Sequence, residues 1–96
     1  NGAIRDFRED SAAEMSCVIT KDGPKPLAVG YLPVAVSGLV TEIKAFEILA
    51  AKVAVEGDYN AALQALCINP LIPSDDLAKT ILDEMLEAHK EYLPQF

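Results

Sequence analysis

The stretches Val55-Glu56-Gly57-Asp58-Tyr59 and Asn69-Pro70-Leu71-Ile72-Pro73-Ser74 decide how this chain folds, because each sets a helix stop beside a helix start. Gly57 suits the left-handed position that closes a helix, and Asp58 is an N-cap whose carboxylate can accept free backbone N–H groups. Asn69 and Pro70 end a second helix. Ser74 opens a third, and Asp75 and Asp76 in its first turn complement the helix dipole. Helices are therefore expected over residues 37–56 and 59–68, and from Ser74 until Pro94 forbids continuation.

Each helix carries its own pattern. In the first, with Ser37 as N-cap, Leu39, Ile43, Phe46, Ala50 and Val53 lie four, three, four and three residues apart. That spacing is one helical face. Val36, Val40, Ile48 and Val55 form a second apolar row. A surface helix usually shows one stripe, so this helix is expected to be central and the most buried. Ala61, Ala62 and Ala65 let the second helix approach a neighbour closely, with Leu63 and Leu66 filling space. Leu77, Ile81, Met85 and His89 trace one face of the third, widened by Leu82 and Leu86. Short connections predict antiparallel neighbours.

Upstream, residues 1–12 are polar and read as a loop. Over residues 14–20, Met15, Cys17 and Ile19 alternate with Ser16, Val18 and Thr20, the period of a half-buried strand. Lys21-Asp22-Gly23 is a turn, with Gly23 free to take positive φ. Pro24 and Pro26 cannot serve a central strand, so the return arm is placed at residues 27–29 as an edge strand or an extended segment. The expectation is an α+β chain in a single unit: a loop over 1–12, a β-hairpin over 13–30 and a helical part over 33–96.

Composition narrows the function classes. With 15 acidic against 8 basic residues the net charge is −7, and the Lys and Arg are scattered rather than clustered. Nucleic acid and anionic membrane surfaces are poor partners for such a chain. No stretch approaches the ~20 apolar residues of a membrane span. Two cysteines in different elements form no disulfide framework, which points to a reducing cytoplasm. The absence of an initiator Met and of a signal sequence reads as a processed or excised piece.

Residues able to do chemistry are few. His89 is the only histidine, and its separation from Cys17 and Cys67 lacks the close ligand pairs of structural zinc. Glu84, Glu87 and Glu91 share a helical face, where pairing of Glu87 with Lys90 on a solvated surface is the plainer account than a cation site. Asp6, Glu9 and Asp10 lack the spacing of a calcium loop. Neither a nucleophile with its base nor a glycine cluster for phosphate is evident.

A resemblance supplies what residue chemistry does not. The run from Val18 through Lys21-Asp22-Gly23-Pro24-Lys25-Pro26-Leu27, then Tyr31-Leu32-Pro33 and Ile43-Lys44-Ala45-Phe46-Glu47, resembles family 4 glycoside hydrolases, closest to their 6-phospho-β-glucosidases. The likeness continues through Val55-Glu56-Gly57-Asp58, Ala62-Leu63-Gln64-Ala65-Leu66, Asn69-Pro70-Leu71, Asp83-Glu84-Met85-Leu86-Glu87-Ala88 and Tyr92-Leu93-Pro94-Gln95. Members are several times longer, and this chain resembles only their C-terminal end. The resemblance implies a parent that binds NAD and a divalent metal, Mn, and acts on a phosphorylated disaccharide or β-glucoside. Its implied route is oxidation at C3, loss of the C2 proton, elimination, water addition and hydride return, an exception to two-carboxylate glycosidases.

It also implies that the dinucleotide-binding N-terminal domain, the metal ligands and the tyrosine base lie outside this chain. Catalytic, cofactor-binding and metal residues are thus expected to number none here, the nearest segment to the substrate being the Asn1-Gly2-Ala3-Ile4 loop. The chain alone is expected to be inactive and structural, partnered by the missing N-terminal domain, and to self-associate. An autonomous acidic helical interaction module is the alternative. Relatives with α-linked or unphosphorylated substrates are not separated by this segment.

Overall fold

A computed structural model describes residues 2–96. Four short strands precede three helices: β1 (Ile4–Arg5), β2 (Cys17–Thr20), β3 (Gly23–Pro26), β4 (Gly30–Tyr31), α1 (Val34–Glu56), α2 (Tyr59–Cys67) and α3 (Asp75–His89), the last followed by a 3-10 turn at Lys90–Tyr92. The chain divides into two compact units, Asn1–Gly38 and Leu39–Phe96.

In the first unit β2 and β3 form the expected hairpin, antiparallel, with Thr20 opposite Gly23 and Cys17 opposite Pro26. Gly23 takes φ +98°, and the Thr20 hydroxyl accepts from Asp22 N–H at 3.2 Å while donating to the Gly23 carbonyl at 2.9 Å. The return arm is Gly23–Pro26, not residues 27–29. The reason lies in strand parity. Leu27 N–H points at the partner strand and donates to the Ser16 carbonyl at 3.0 Å, so the amide positions of Pro24 and Pro26 face the open side, where a missing N–H costs no ladder bond. Both strands of this pair are edges. The expected half-burial is absent: Val18 is 51% and Ile19 77% exposed, because neither face of the hairpin is covered within its unit.

The expected 1–12 loop contains β1, which pairs in parallel with β4, Ile4 opposite Gly30 and Arg5 opposite Tyr31. Val29 N–H extends this pairing by donating to the Ala3 carbonyl at 2.9 Å, and the Arg5 guanidinium lies 5.6 Å from the centre of the Tyr31 ring, a cation–π distance. A pairing between segments so far apart leaves no mark in local periodicity.

Helix α1 begins at Val34, three residues before the expected start. Pro33 directly precedes it, and the Pro33 carbonyl accepts from Val36 and Ser37 N–H at 3.0 Å. Proline needs no N–H there, so the helix starts at the ring rather than after it. Ser37 is therefore not a cap; its hydroxyl donates to the Val34 carbonyl at 3.3 Å.

In the second unit the expected punctuation holds. Gly57 ends α1 at φ +71°, Asp58 accepts from Asn60 and Ala61 N–H, and Ser74 accepts from Leu77 N–H. Val53, Ala62 and Leu82 form the core, with Tyr59, Ala61, Leu63, Leu66 and Leu86 against them. Helices α2 and α3 pack on each other through Ala62, Ala65, Ala78 and Leu82, all buried. The alanines bring the two helices close, as their pattern predicted.

Helix α1 departs from expectation. Of its 23 residues only Val53 is buried, and Phe46 is half-buried. Its C-terminal turns meet the core; the rest of both apolar rows finds no partner within this unit. No large side chain anywhere among the described residues is fully buried. A helix apolar on several faces is built to be covered on several faces.

Candidate functional site

His89 stands exposed in the last turn of α3, Cys17 is exposed in β2, and Cys67 is half-buried at the end of α2. Among the described residues no three His, Cys, Asp or Glu side chains converge as metal ligands. Burial, reinforced by Asp75, pushes the Cys67 thiol above its ordinary range, which disfavours a nucleophilic thiolate. Glu84, Glu87 and Glu91 are exposed, and Glu87 pairs with Lys90 at 2.6 Å as expected.

One polar cluster has no simple sequence signature. The Tyr59 hydroxyl donates to Asp83 Oδ1 at 2.6 Å, and Lys79 pairs with Asp83 Oδ2. Lys79 first, then Tyr59, hold the Asp83 carboxyl below its usual range, while Asp83 raises the tyrosine and the lysine. The Lys79–Asp83 half is readable as a four-residue helical spacing. Tyr59 lies 24 residues away, and only the docking of α2 on α3 brings it in. Lys79 and Asp83 are exposed and Tyr59 is half-buried, so the cluster joins the two helices at the surface.

Concavities lie in both units; one of about 330 Å³ in the second lies beside Asp83, Leu86, Glu87, Lys90, Leu93 and Phe96. In the first unit, Gly2, Ala3, Ile4, Phe7, Arg8, Glu9, Ser11, Ala13 and Met15 surround a pocket of about 70 Å³. Gly2, Ala3 and Ile4 of the Asn1–Ile4 loop line it; Asn1 lies outside the described residues. Arg8 is held by Asp10 through two bonds, Nε to Oδ1 at 3.0 Å and Nη2 to Oδ2 at 2.6 Å, which lowers the Asp10 carboxyl and raises the guanidinium. Asp6 holds φ +54°, unusual for a residue with a side chain. Ser11 Oγ is buried with no hydrogen-bond partner among the described residues. Nothing in the polar run 1–12 marked Ser11 beforehand, since only the folded loop buries its hydroxyl.

In the second unit, Phe46, Val53, Leu66, Leu82, Met85 and Leu86 line an almost wholly apolar groove of about 230 Å³. Side chains of α1, α2 and α3 form its walls, with His89 at its lining as the one titratable group. Walls so largely apolar suit other apolar surface, and His89 has no partner base or nucleophile among the groove's lining residues.

Known proteins align with this architecture. The "Family 4 glycosyl hydrolase C-terminal domain" matches residues 1–72. A "Probable 6-phospho-beta-glucosidase" of Bacillus subtilis (strain 168) is 67% identical over 96 residues, all of this chain and 22% of that protein. A crystal structure of 6-phospho-alpha-glucosidase from gut microorganisms, in complex with NAD and glucose-6-phosphate, superposes with a TM-score of 0.89 at 38% identity. It covers 100% of this chain and 22% of that one. A second structure, of 6-phospho-alpha-glucosidase with NAD and Mn2+, gives 0.89 at 34% identity over 99% of this chain and 22% of its own. The chain thus spans about a fifth of the length of the relatives it matches.

Proposed function

The chain belongs to family 4 of the glycosyl hydrolases, in their C-terminal domain, and we propose that it is the C-terminal part of an NAD- and manganese-dependent enzyme hydrolysing 6-phospho-β-glucosides. The observation that carries the reading is the 67% identity, unbroken over the chain, to a probable 6-phospho-β-glucosidase. Similar solved chains, named for the α-linked substrate, stand at 38% and 34%, so the higher identity favours the β-linkage.

Within this enzyme the chain serves as a structural layer and holds neither cofactor. The one junction from strand to helix among the described residues, between Tyr31 and Val34, carries Pro33 where a dinucleotide site needs a glycine-rich turn. The resemblance puts the cofactor- and metal-binding groups in the remainder of the enzyme, so no step through NAD or metal is assigned to this chain, and alone it is inactive. Its exposed apolar side chains, from Val18 and Ile19 of β2 to Val34, Leu39 and Ile48 of α1, suit contact with the remainder of the enzyme or with a second subunit. Among the described residues no helix is long and apolar enough to cross a membrane, and a phosphorylated sugar substrate fits a cytoplasmic enzyme.

The test is anomeric. The full-length enzyme, supplied with NAD+ and Mn2+, should turn over p-nitrophenyl 6-phospho-β-glucoside at least tenfold faster per enzyme than the α-anomer. Preference for the α-anomer would overturn the β assignment while leaving the family intact.

A further inference from the structure

We infer that residues 93–96 form a latch: a strap that ties the C-terminal end of α1 to α3, caps one end of the apolar groove, and lifts locally without unfolding the helices it joins. The device is independent of which substrate the enzyme takes. Helix α1 is loosely held, since only Val53 of its 23 residues is buried. After α3 the chain turns through Lys90–Tyr92 and runs back to the last turn of α1. There Gln95 Nε2 donates to the Ala54 carbonyl at 3.1 Å. Among the described residues this is the one hydrogen bond that joins α1 to α2, α3 or the residues after them. Leu93 lines the end of the groove where Ala54 and His89 also lie. Leu93 and Gln95 are half-buried while Pro94 and Phe96 are exposed, the alternation of an extended segment laid against a surface.

The seat of the strap is Gly57. Its positive φ already calls for glycine, and the missing side chain has a second use. The Gln95 carbonyl stands in the space that a Cβ on Gly57 would fill, so the strap crosses directly over the backbone that ends α1. The fastening is nevertheless slight. It consists of one surface hydrogen bond and one half-buried leucine, and within the strap itself Phe96 N–H donates to the Leu93 carbonyl at 3.2 Å. Helices α2 and α3, by contrast, are joined through the buried side chains of Ala62, Ala65, Ala78 and Leu82. Segments with few buried apolar contacts and exposed hydrogen bonds open at a much lower free energy than a packed core. The strap therefore lifts first. With it go the last turn of α1 and the closure of the groove, while the α2–α3 pair stays docked.

Hydrogen exchange of the full-length enzyme, read by mass spectrometry on peptides covering residues 50–57 and 62–86, tests this. Gln95→Ala removes the fastening bond and should speed exchange over 50–57 about two- to tenfold, with 62–86 within twofold of the parent. Leu93→Ala should act in the same direction. Tyr92, just before the strap, is 79% exposed, so Tyr92→Ala should leave both regions within twofold. Unchanged exchange over 50–57 in both strap variants would overturn the latch, because the strap would then hold nothing. An equal rise over 50–57 and 62–86 would overturn it too, since the strap would be a general brace rather than a part that opens alone. Either result leaves the enzyme assignment untouched.

Discussion

Replacing Gly57 with alanine should destabilise the helical unit sharply, for two separable reasons. Gly57 sits at φ +71°, a conformation that costs a residue with a Cβ roughly 1–2 kcal/mol. The new Cβ would also overlap the Gln95 carbonyl oxygen and lie 2.5 Å from the Gln95 carbonyl carbon and 3.0 Å from its Cβ. Two of these atoms are backbone, so the chain near Gln95 must move. That movement breaks the bond from Gln95 Nε2 to the Ala54 carbonyl at 3.1 Å, worth about 0.5–1.5 kcal/mol. The total is about 2–3 kcal/mol, a fall in Tm of roughly 10–20 °C for a domain of this size. The assay is thermal unfolding of the 96-residue chain followed by far-ultraviolet circular dichroism. Gly57→Asn separates the causes, since asparagine tolerates the left-handed region but carries the same Cβ; it should remain clearly destabilised. Gly38 is the control. It lies in α1 without a positive φ, and a Cβ added there would meet no described atom within 4 Å. Gly38→Ala should therefore raise stability by up to about 1 kcal/mol. A Gly57→Ala protein melting within about 2 °C of the parent, a shift worth only a few tenths of a kcal/mol, would refute the reasoning, and full recovery in Gly57→Asn would remove the clash from it.

Further expectations follow from the same contacts. Phe46 is half-buried on the groove, so Phe46→Ala should cost about 1–2 kcal/mol in urea unfolding, and a loss above about 4 kcal/mol, the range of a fully enclosed ring, would show that α1 is more enclosed than it stands here. Asp83 has a depressed folded-state pKa, so its stabilisation is present above the ordinary carboxylate pKa and lost as pH falls through the folded value. The Tm difference between the parent and Asp83→Asn should accordingly shrink through the acid limb, and a difference that stays constant to the acid end of the titration would discount the Lys79–Asp83–Tyr59 cluster. The uncovered apolar faces lead us to expect the chain to form dimers or larger assemblies; light scattering showing a monomer throughout the micromolar range would count against this.

How much of this was legible beforehand depended on how local each signal was. Gly57, Asp58 and Ser74 act through bonds to residues two to four positions away, and sequence placed all three correctly. Ser37 failed as a cap because Pro33, a few residues earlier, already gave α1 a start that needs no N–H. The prolines of β3 misled because sequence shows that an amide is missing but not which way it would point. The parallel pairing of Ile4 with Gly30 is non-local and left no periodic trace. The double apolar stripe of α1 predicts a central, most buried helix, but α2 and α3 do not supply that cover and only Val53 is buried. For the candidate site, the side chains of residues 1–12 looked like a solvated loop, and Ser11 gained meaning only once its hydroxyl was seen to be enclosed.

The central claim is that this chain is a non-catalytic part of a cofactor-dependent phosphoglycosidase. It is tested most directly by assaying the full-length enzyme and the 96-residue chain side by side with p-nitrophenyl 6-phospho-β-glucoside. Release of nitrophenol should require full-length protein together with both NAD+ and Mn2+, and the 96-residue chain should match a protein-free blank under every condition. Turnover by the 96-residue chain, or turnover by the full-length enzyme stripped of NAD+ and Mn2+, would contradict the account.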